Sequence, residues 1–172
     1  MHANSLRLMQ EFLIDHVKPW RTTGRVLDVG AYNVNGCYRP LWAGWDYTGL
    51  DQEAGPNVDL VVPDGQPFPG GDYDVVISGQ CLEHAKRPWE LCDQMGRMLK
   101  PGGLLCLIAP FMISVHRYPI DCWRILPDGM RVLLEEYGGC DLLSAVIYDC
   151  FPLDGNGPNL MMDTMGVGRR RR

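Results

Sequence analysis

The sequence predicts an α/β fold with an open, mainly parallel sheet, on three observations. Short, nearly continuous apolar runs recur at Val26–Val29 (VLDV), Tyr73–Ser78 (YDVVIS) and Leu104–Ala109 (LLCLIA), as expected of strands buried on both faces. Segments with helical spacing of apolar residues lie among them. No repeat or linker breaks the alternation, so strands and helices belong to one domain over 1–172.

Leu6, Met9, Leu13 and Val17 recur at three- and four-residue steps, which predicts a helix over Ser5–Val17, stopped by Pro19. The first strand follows at Val26–Val29 and breaks at Gly30. Cys37–Ala43 has room only for a short helical turn. Asp46–Asp51 (DYTGLD) reads as the second strand, and Asn57–Val62 as a third, edge-like one entered after Gly55-Pro56. The crossover helix between the second and third strands is missing, so this half is trimmed. Asp64–Gly71 is a loop by its glycines and prolines. Tyr73–Ser78 is the fourth strand, and Pro88–Leu99 a helix with Pro88 in its first turn. Lys100-Pro101-Gly102-Gly103 ends that helix before the fifth strand at Leu104–Ala109. Pro127–Tyr137 is a helix closed by Gly138-Gly139. Leu142–Tyr148 and Met165–Arg169 are the sixth and seventh strands.

The 172 residues are 46% hydrophobic, enough for one full core. The net charge is −5, and without Arg169–Arg172 the chain has 12 basic residues against 21 acidic ones. That balance argues against nucleic acid as the main partner. The arginine tail reads as a frayed, solvated terminus. Seven cysteines are scattered without a CxxC pair, so neither a disulfide framework nor a zinc site is suggested, and no metal is expected. Free thiols suit the reducing cytoplasm. No signal-peptide layout and no apolar run of about 18 residues is present, so stable membrane insertion is not expected.

Ligands in open α/β sheets sit beyond the carboxyl ends of the strands. Asp28 and Gly30 stand at the end of the first strand, before a loop in which Asn33, Asn35 and Gly36 tolerate left-handed backbone. Asp51, before the Gln52–Gly55 loop, can accept both hydroxyls of a ribose; a solvated turn residue is the plainer reading. Asp64 with Gly65 can read a base edge through a carboxylate and a backbone N–H, or mark a turn and nothing more. Gln80 follows the fourth strand where the central crevice opens.

Together these residues resemble the class I S-adenosylmethionine-dependent methyltransferases over nearly the whole chain. VLDVG at 26–30 looks like their first motif, Asp51 matches the ribose acid, and Asp64 the adenine-side acid. The block from Tyr73 to Phe111, with its Leu82-Glu83-His84 and its Leu99–Gly103 (LKPGG), resembles their central segment. One departure stands out: Tyr32 and Val34 occupy the places of the second and third glycines of the family's GxGxG loop. The Asn35-Gly36 that follows resembles a small-molecule or glycan-associated subgroup. The resemblance implies a Rossmann-like sheet of order 3-2-1-4-5-7-6 with its last strand antiparallel. It also implies S-adenosyl-L-methionine as cofactor, held by Asp28, Gly30, Asn33, Asp51, Gln52, Asp64, Gly65, Gln80 and His84.

Transfer of a sulfonium methyl is an in-line displacement, so positioning supplies much of the acceleration and no enzyme nucleophile is needed. The acceptor expected is a small molecule or a sugar- or lipid-linked group. If it is a hydroxyl, a base is required. His116 is the candidate base, Asp121 its orienter, and Tyr118, Trp123 and Arg124 candidate substrate contacts; the competing reading is a loop clamp in which Asp121 and Arg124 pair. His84 reads as a hydrogen-bonded residue near the cofactor. A nicotinamide dehydrogenase needs G-x-G-x-x-G opening a helix, and GAYNVNG offers only Gly30 and Gly36. A non-catalytic cofactor-binding or scaffold domain is the other alternative. With so little cap of its own, the domain is a candidate homodimer whose partner completes the lid.

Overall fold

A computed structural model describes residues 3–149 and 161–172. Its seven strands are β1 (Arg25–Val29), β2 (Asp46–Asp51), β3 (Leu60–Val61), β4 (Tyr73–Gly79), β5 (Leu99–Met112), β6 (Cys140–Asp149) and β7 (Met162–Arg170). They form one sheet in the order β3-β2-β1-β4-β5-β7-β6. The first five run parallel, and β7 is antiparallel to both β5 and β6. This is the order and the antiparallel strand that the resemblance implied.

Side-chain alternation divides the strands between two cores. Val26, Val75, Ile77, Leu104, Cys106 and Ile108 face α1 (Ala3–Phe12), whose Leu8, Met9 and Phe12 are fully buried there. Leu27, Val76, Leu105 and Leu107 face the opposite layer, built from α2 (Pro88–Arg97) and α3 (Pro127–Val132). Both α1 and α3 continue into a wider π-type turn, Leu13–Val17 and Leu133–Tyr137. The buried stripe of α1 runs through Leu8 and Phe12, while Leu6 is 39% exposed.

No helix lies between β2 and β4 among the described residues. A loop takes its place, lying so close on β2 that a Cβ at Gly49 would collide with the Asn57 carbonyl. Arg39 fastens that loop: its guanidinium donates to Asn57 Oδ1 at 2.7 Å and to Asp59 Oδ2 at 2.5 Å, and it stacks over Tyr47. One arginine thus replaces a helix's worth of packing.

Four expectations are corrected. β3 is two residues long, because Asn57–Asp59 serve the Arg39 clamp instead of the ladder. β5 begins at Leu99, because a register shift, with Gly102 at φ +82, absorbs the Pro-Gly-Gly stretch within the strand. β6 and β7 are longer than their apolar runs, since they pair with each other from Cys140↔Arg170 to Asp149↔Met162. The arginine tail is not frayed: Arg169 donates to Gly102 O, Arg170 to Gly138 O, and Arg171 pairs with Asp141. Among the described residues no helix is long and apolar enough to cross a membrane.

Candidate functional site

The carboxyl ends of β1, β2 and β4 open on the same edge of the sheet. Gly30 turns the chain there at φ +82, and a Cβ on it would lie 2.6 Å from Cys81 Sγ. Its glycine is demanded by Cys81 and by backbone geometry. Gly79 is tighter still, since a Cβ there would collide with the Tyr38 hydroxyl, itself hydrogen-bonded to Ser5. Tyr32, standing where the family has glycine, lays its ring over Gly55. The bulk that the sequence brings to this loop is therefore turned aside onto the next one.

The three acids at the strand ends are not equivalent. Asp28 is buried, and its Oδ2 accepts from the Tyr47 hydroxyl, which is also reached by Asn57 Nδ2 at 3.3 Å. Burial pushes its carboxyl up to about 7, with Tyr47 pulling down and Asp51 adding to the rise. Asp28 thus stands beneath the loop with its Oδ2 committed to Tyr47. Asp51 stands at the rim: Oδ2 accepts from the Tyr32 amide at 2.9 Å and Oδ1 from the Glu53 amide at 3.4 Å. Each oxygen keeps acceptor capacity for a diol. Asp64 is exposed and faces Lys86 Nζ at 3.5 Å, so the nearest charge to it is a lysine. Gly65, at φ +78, has open space around it, and Gln52 is exposed beside Asp51.

Asn33 spends its side-chain oxygen on the Gly36 amide, at 2.7 Å, and shapes the loop from within. Gln80 takes a left-handed backbone at φ +58, and its side-chain amide donates to Asp163 Oδ1 at 3.0 Å. Burial pushes the Cys81 thiol up to about 12, with Glu83, Asp51 and Asp28 adding to the rise, so it stays neutral near pH 7.

A second constellation follows β4. The turn Leu82–His84 (LEH) is tied to the segment after β5 by three bonds. Cys122 N donates to Glu83 O at 2.7 Å, Trp123 Nε1 to Ala85 O at 2.8 Å, and His84 Nδ1 meets Ile120 O at 2.5 Å. Trp123 also packs edge-on against Trp89 with ring centroids 5.9 Å apart. Arg124 forks onto Asp121 at 2.6 and 2.7 Å, and also donates to Trp123 O at 2.8 Å. The polar groups of Trp123 and Arg124 are thereby engaged within the loop. Tyr118 alone of the three is open, at 61% exposure. Asp121 pairs with Arg124 and at the same time accepts from the His116 backbone amide at 2.8 Å, with its Oδ2 3.5 Å from His116 Nδ1. The Arg124 hydrogen bonds hold the Asp121 carboxyl well below the usual carboxylate range.

Sequence reasoning passed over Glu83 as a functional group, although the Leu82-Glu83-His84 motif displayed it. Glu83 is fully buried, and neither carboxylate oxygen accepts a hydrogen bond from another of the described residues. Burial pushes it up to about 8, against the pull of its own amide. His84 Nε2 lies 3.6 Å and His116 Nε2 3.8 Å from Glu83 Oε1. Asp163 is the other omission. Buried at the start of β7, it accepts from Asn4 and Gln80 and so ties α1 to the end of β4.

Fold and strand-end acids define a class: an α/β domain with carboxylates at the carboxyl edge of a trimmed, mainly parallel sheet. Residues 27–107 match the family model described as a methyltransferase domain. An uncharacterized methyltransferase of Mycobacterium sp. (strain JLS) is 29% identical over 143 residues, spanning 61% of this chain and 56% of that protein. One of Mycobacterium tuberculosis is 44% identical over 41 residues, spanning 24% of this chain but 16% of its own length. The chain thus spans only part of these relatives. In fold it is similar to the Burkholderia thailandensis 1,6-didemethyltoxoflavin-N1-methyltransferase, solved with its acceptor and S-adenosylhomocysteine. That likeness has a TM-score of 0.73 and 15% identity, over 98% of this chain and 79% of the other. Over residues 27–107 the chain thus carries a methyltransferase domain, in a fold like that of the S-adenosylmethionine-dependent class I methyltransferases.

Proposed function

We propose that this chain transfers a methyl group from S-adenosyl-L-methionine to a small-molecule, sugar-linked or lipid-linked acceptor. The observation that carries the reading is the grouping of two carboxyl groups, Asp28 and Asp51, around Gly30 and Cys81. Asp51 at the rim, with Asp28 beneath the loop, suits a cationic sulfonium amino acid and disfavours a pyrophosphate. The residues fit the cofactor at the rim: Asp51 keeps acceptor capacity for the ribose hydroxyls, and the open backbone at Gly65 leaves room beside Asp64 for a base. When bound, the cofactor supplies an electrophilic methyl on a good leaving group.

The protein then has to hold donor and acceptor in line and exclude water. Gln80, fixed by Asp163, and the Gly30–Asn33 loop frame the donor. The segment 113–124, pinned onto the Leu82–His84 turn, frames the acceptor. Deprotonation of an acceptor hydroxyl falls to the Glu83–His84–His116 cluster, with Asp121 as the positioning residue for His116. Val115, Tyr118 and Leu126 stand exposed on this side, and a second copy of the chain completes the lid. Full activity from a species that sediments only as monomer would refute the shared lid.

The test of the main reading is calorimetric titration with S-adenosylmethionine, S-adenosylhomocysteine and NAD. The first two bind with one site per chain and NAD does not. Preference for NAD, or no binding of either sulfur nucleoside, would overturn the reading. Incubation with cell extract and labelled cofactor, followed by detection of S-adenosylhomocysteine, separates an enzyme from a binding domain.

A further inference from the structure

Three acceptor groups that have no reason to approach one another are gathered behind β4. One ligand atom from each of Glu83, His84 and His116 lies within 4.8 Å of the other two, and both Nε2 atoms face Glu83 Oε1, at 3.6 and 3.8 Å. Hydrogen bonding fixes the form of both imidazoles. A backbone carbonyl can only accept, so His84 carries its proton on Nδ1, where it meets Ile120 O at 2.5 Å. His116 Nδ1 likewise faces two acceptors, Ser114 O at 3.3 Å and Asp121 Oδ2 at 3.5 Å. Both Nε2 lone pairs are then left pointing at a carboxylate that is itself fully buried and without a hydrogen bond from another described residue.

Such a grouping is repulsive as it stands. Two lone pairs and a buried carboxyl group need either a shared proton or a metal cation between them. Lysine and arginine do not supply it: Arg124, the basic side chain built into this loop, turns its guanidinium onto Asp121 and loop carbonyls. We propose that Glu83, His84 and His116 form a divalent-cation site. Tetrahedral ligands about 2.1 Å from a metal lie about 3.4 Å from one another, so the separations of 3.6 and 3.8 Å need only a small contraction. Two imidazoles and one carboxylate suit zinc, manganese, cobalt or iron better than magnesium or calcium. The supporting shell has the form that metal-binding histidines have, with each Nδ1–H on a carbonyl or carboxylate. Ser114 O performs that service for His116 at 3.3 Å, with Asp121 Oδ2 beside it at 3.5 Å. The scattered cysteines carry no sign of this site, since its ligands come from Leu82–His84 and from a loop more than thirty residues later.

Three protein ligands leave coordination positions open toward the acceptor side. This step rests on the methyltransferase reading, and it names the acceptor class as a hydroxyl compound. A hydroxyl on the cation loses its proton to solvent more readily. Its oxygen then forms the bond to the methyl carbon while the carbon–sulfur bond breaks, the electron pair staying on sulfur as a neutral thioether. His116 is on this account a ligand, and no protein base is needed: the cation would act as a Lewis acid that lowers the pKa of the hydroxyl, whose proton goes to solvent.

The test uses the whole chain, stripped with chelator and titrated with Co²⁺ while visible and near-ultraviolet absorption are recorded. One equivalent binds, with visible ligand-field bands and no thiolate charge-transfer band. His116→Ala, at a half-exposed position that leaves the core intact, weakens Co²⁺ binding at least about tenfold. Glu83→Gln does the same, with an unchanged far-ultraviolet circular dichroism spectrum. S-adenosylhomocysteine affinity, measured on the same preparations, stays unchanged in His116→Ala, which keeps the two readings apart. The cation site is overturned if Co²⁺ does not bind stoichiometrically, if a thiolate band accompanies it, or if both variants bind it as wild type does. It is equally overturned if imidazole nitrogens of the stripped protein titrate as a proton-sharing pair that Co²⁺ leaves unchanged. Loss of S-adenosylhomocysteine binding in the wild type would refute the methyltransferase reading alone.

Discussion

Replacing Asp28 by asparagine distinguishes a supporting acid from a ligand-binding one. In the folded chain burial raises this carboxyl from 3.8 to about 7. Between those values the unfolded chain has released the proton and the folded chain retains it, so wild-type stability falls as pH rises. The loss is complete once pH has passed the folded value. A shift of about 3 units corresponds to about 4 kcal/mol at 1.36 kcal/mol per unit. The asparagine side chain keeps an oxygen for the Tyr47 hydroxyl and has no proton to lose. In urea unfolding followed by tryptophan fluorescence, D28N therefore gains on wild type by about 4 kcal/mol between pH 4 and pH 8, with equal slopes on denaturant. A stability difference that stays constant over that range would refute the assignment of Asp28 as a buried, proton-holding acid.

Asp51→Ala should weaken S-adenosylhomocysteine binding by one or two charge-assisted hydrogen bonds, each about 1.5–3 kcal/mol, and an unchanged dissociation constant in calorimetry would remove Asp51 from the ribose role. Gly79→Ala drives a methyl into the Tyr38 hydroxyl and should lower the melting temperature markedly; adding Tyr38→Phe recovers part of the loss, which a double-mutant cycle reads directly. Burial alone would raise the Asp74 carboxyl, but Lys100, the Arg25 amide and Arg21 outweigh it and hold it below its ordinary value. Its stabilising effect is present above the unfolded pKa and is lost as pH falls through the folded one, so Asp74→Asn is less stable at pH 7 and converges with wild type in acid unfolding.

The sheet was legible because buried parallel strands announce themselves as unbroken apolar runs, and β1, β2 and β4 were delimited within a residue or so. Strand ends that rest on pairing were not, because a ladder partner far along the chain decides them. Arg169 and Arg170 look like a solvated tail, yet they extend β7 against β5 and β6. Asp28, Asp51 and Asp64 were equally visible as acids at loop roots, but not their depth. Tyr47, one strand over, turns Asp28 inward, while Asp64 stays outside with Lys86. Glu83 was hidden by its neighbour: a histidine in a motif draws attention, and nothing in the sequence states that the glutamate beside it has no hydrogen-bond donor.

On the proposed function the two halves of the site are built by different means, and that decides where specificity would reside. The donor side consists of strand ends and turns whose geometry is set by close packing: Gly30 on Cys81, Gly79 on Tyr38, Gln80 on Asp163. A change there disturbs the sheet itself, so it is suited to one invariant ligand. The acceptor side hangs from Pro110 to Ile125 on a few bonds, chiefly to Glu83, Ala85 and His84, and its outer residues Val115 and Tyr118 touch little. Substitutions at those two positions cost little stability because nothing is packed on them. The acceptor can therefore change by surface substitution while cofactor binding stays fixed, and Val115 and Tyr118 are where exchange between members of this family should redirect the methyl group.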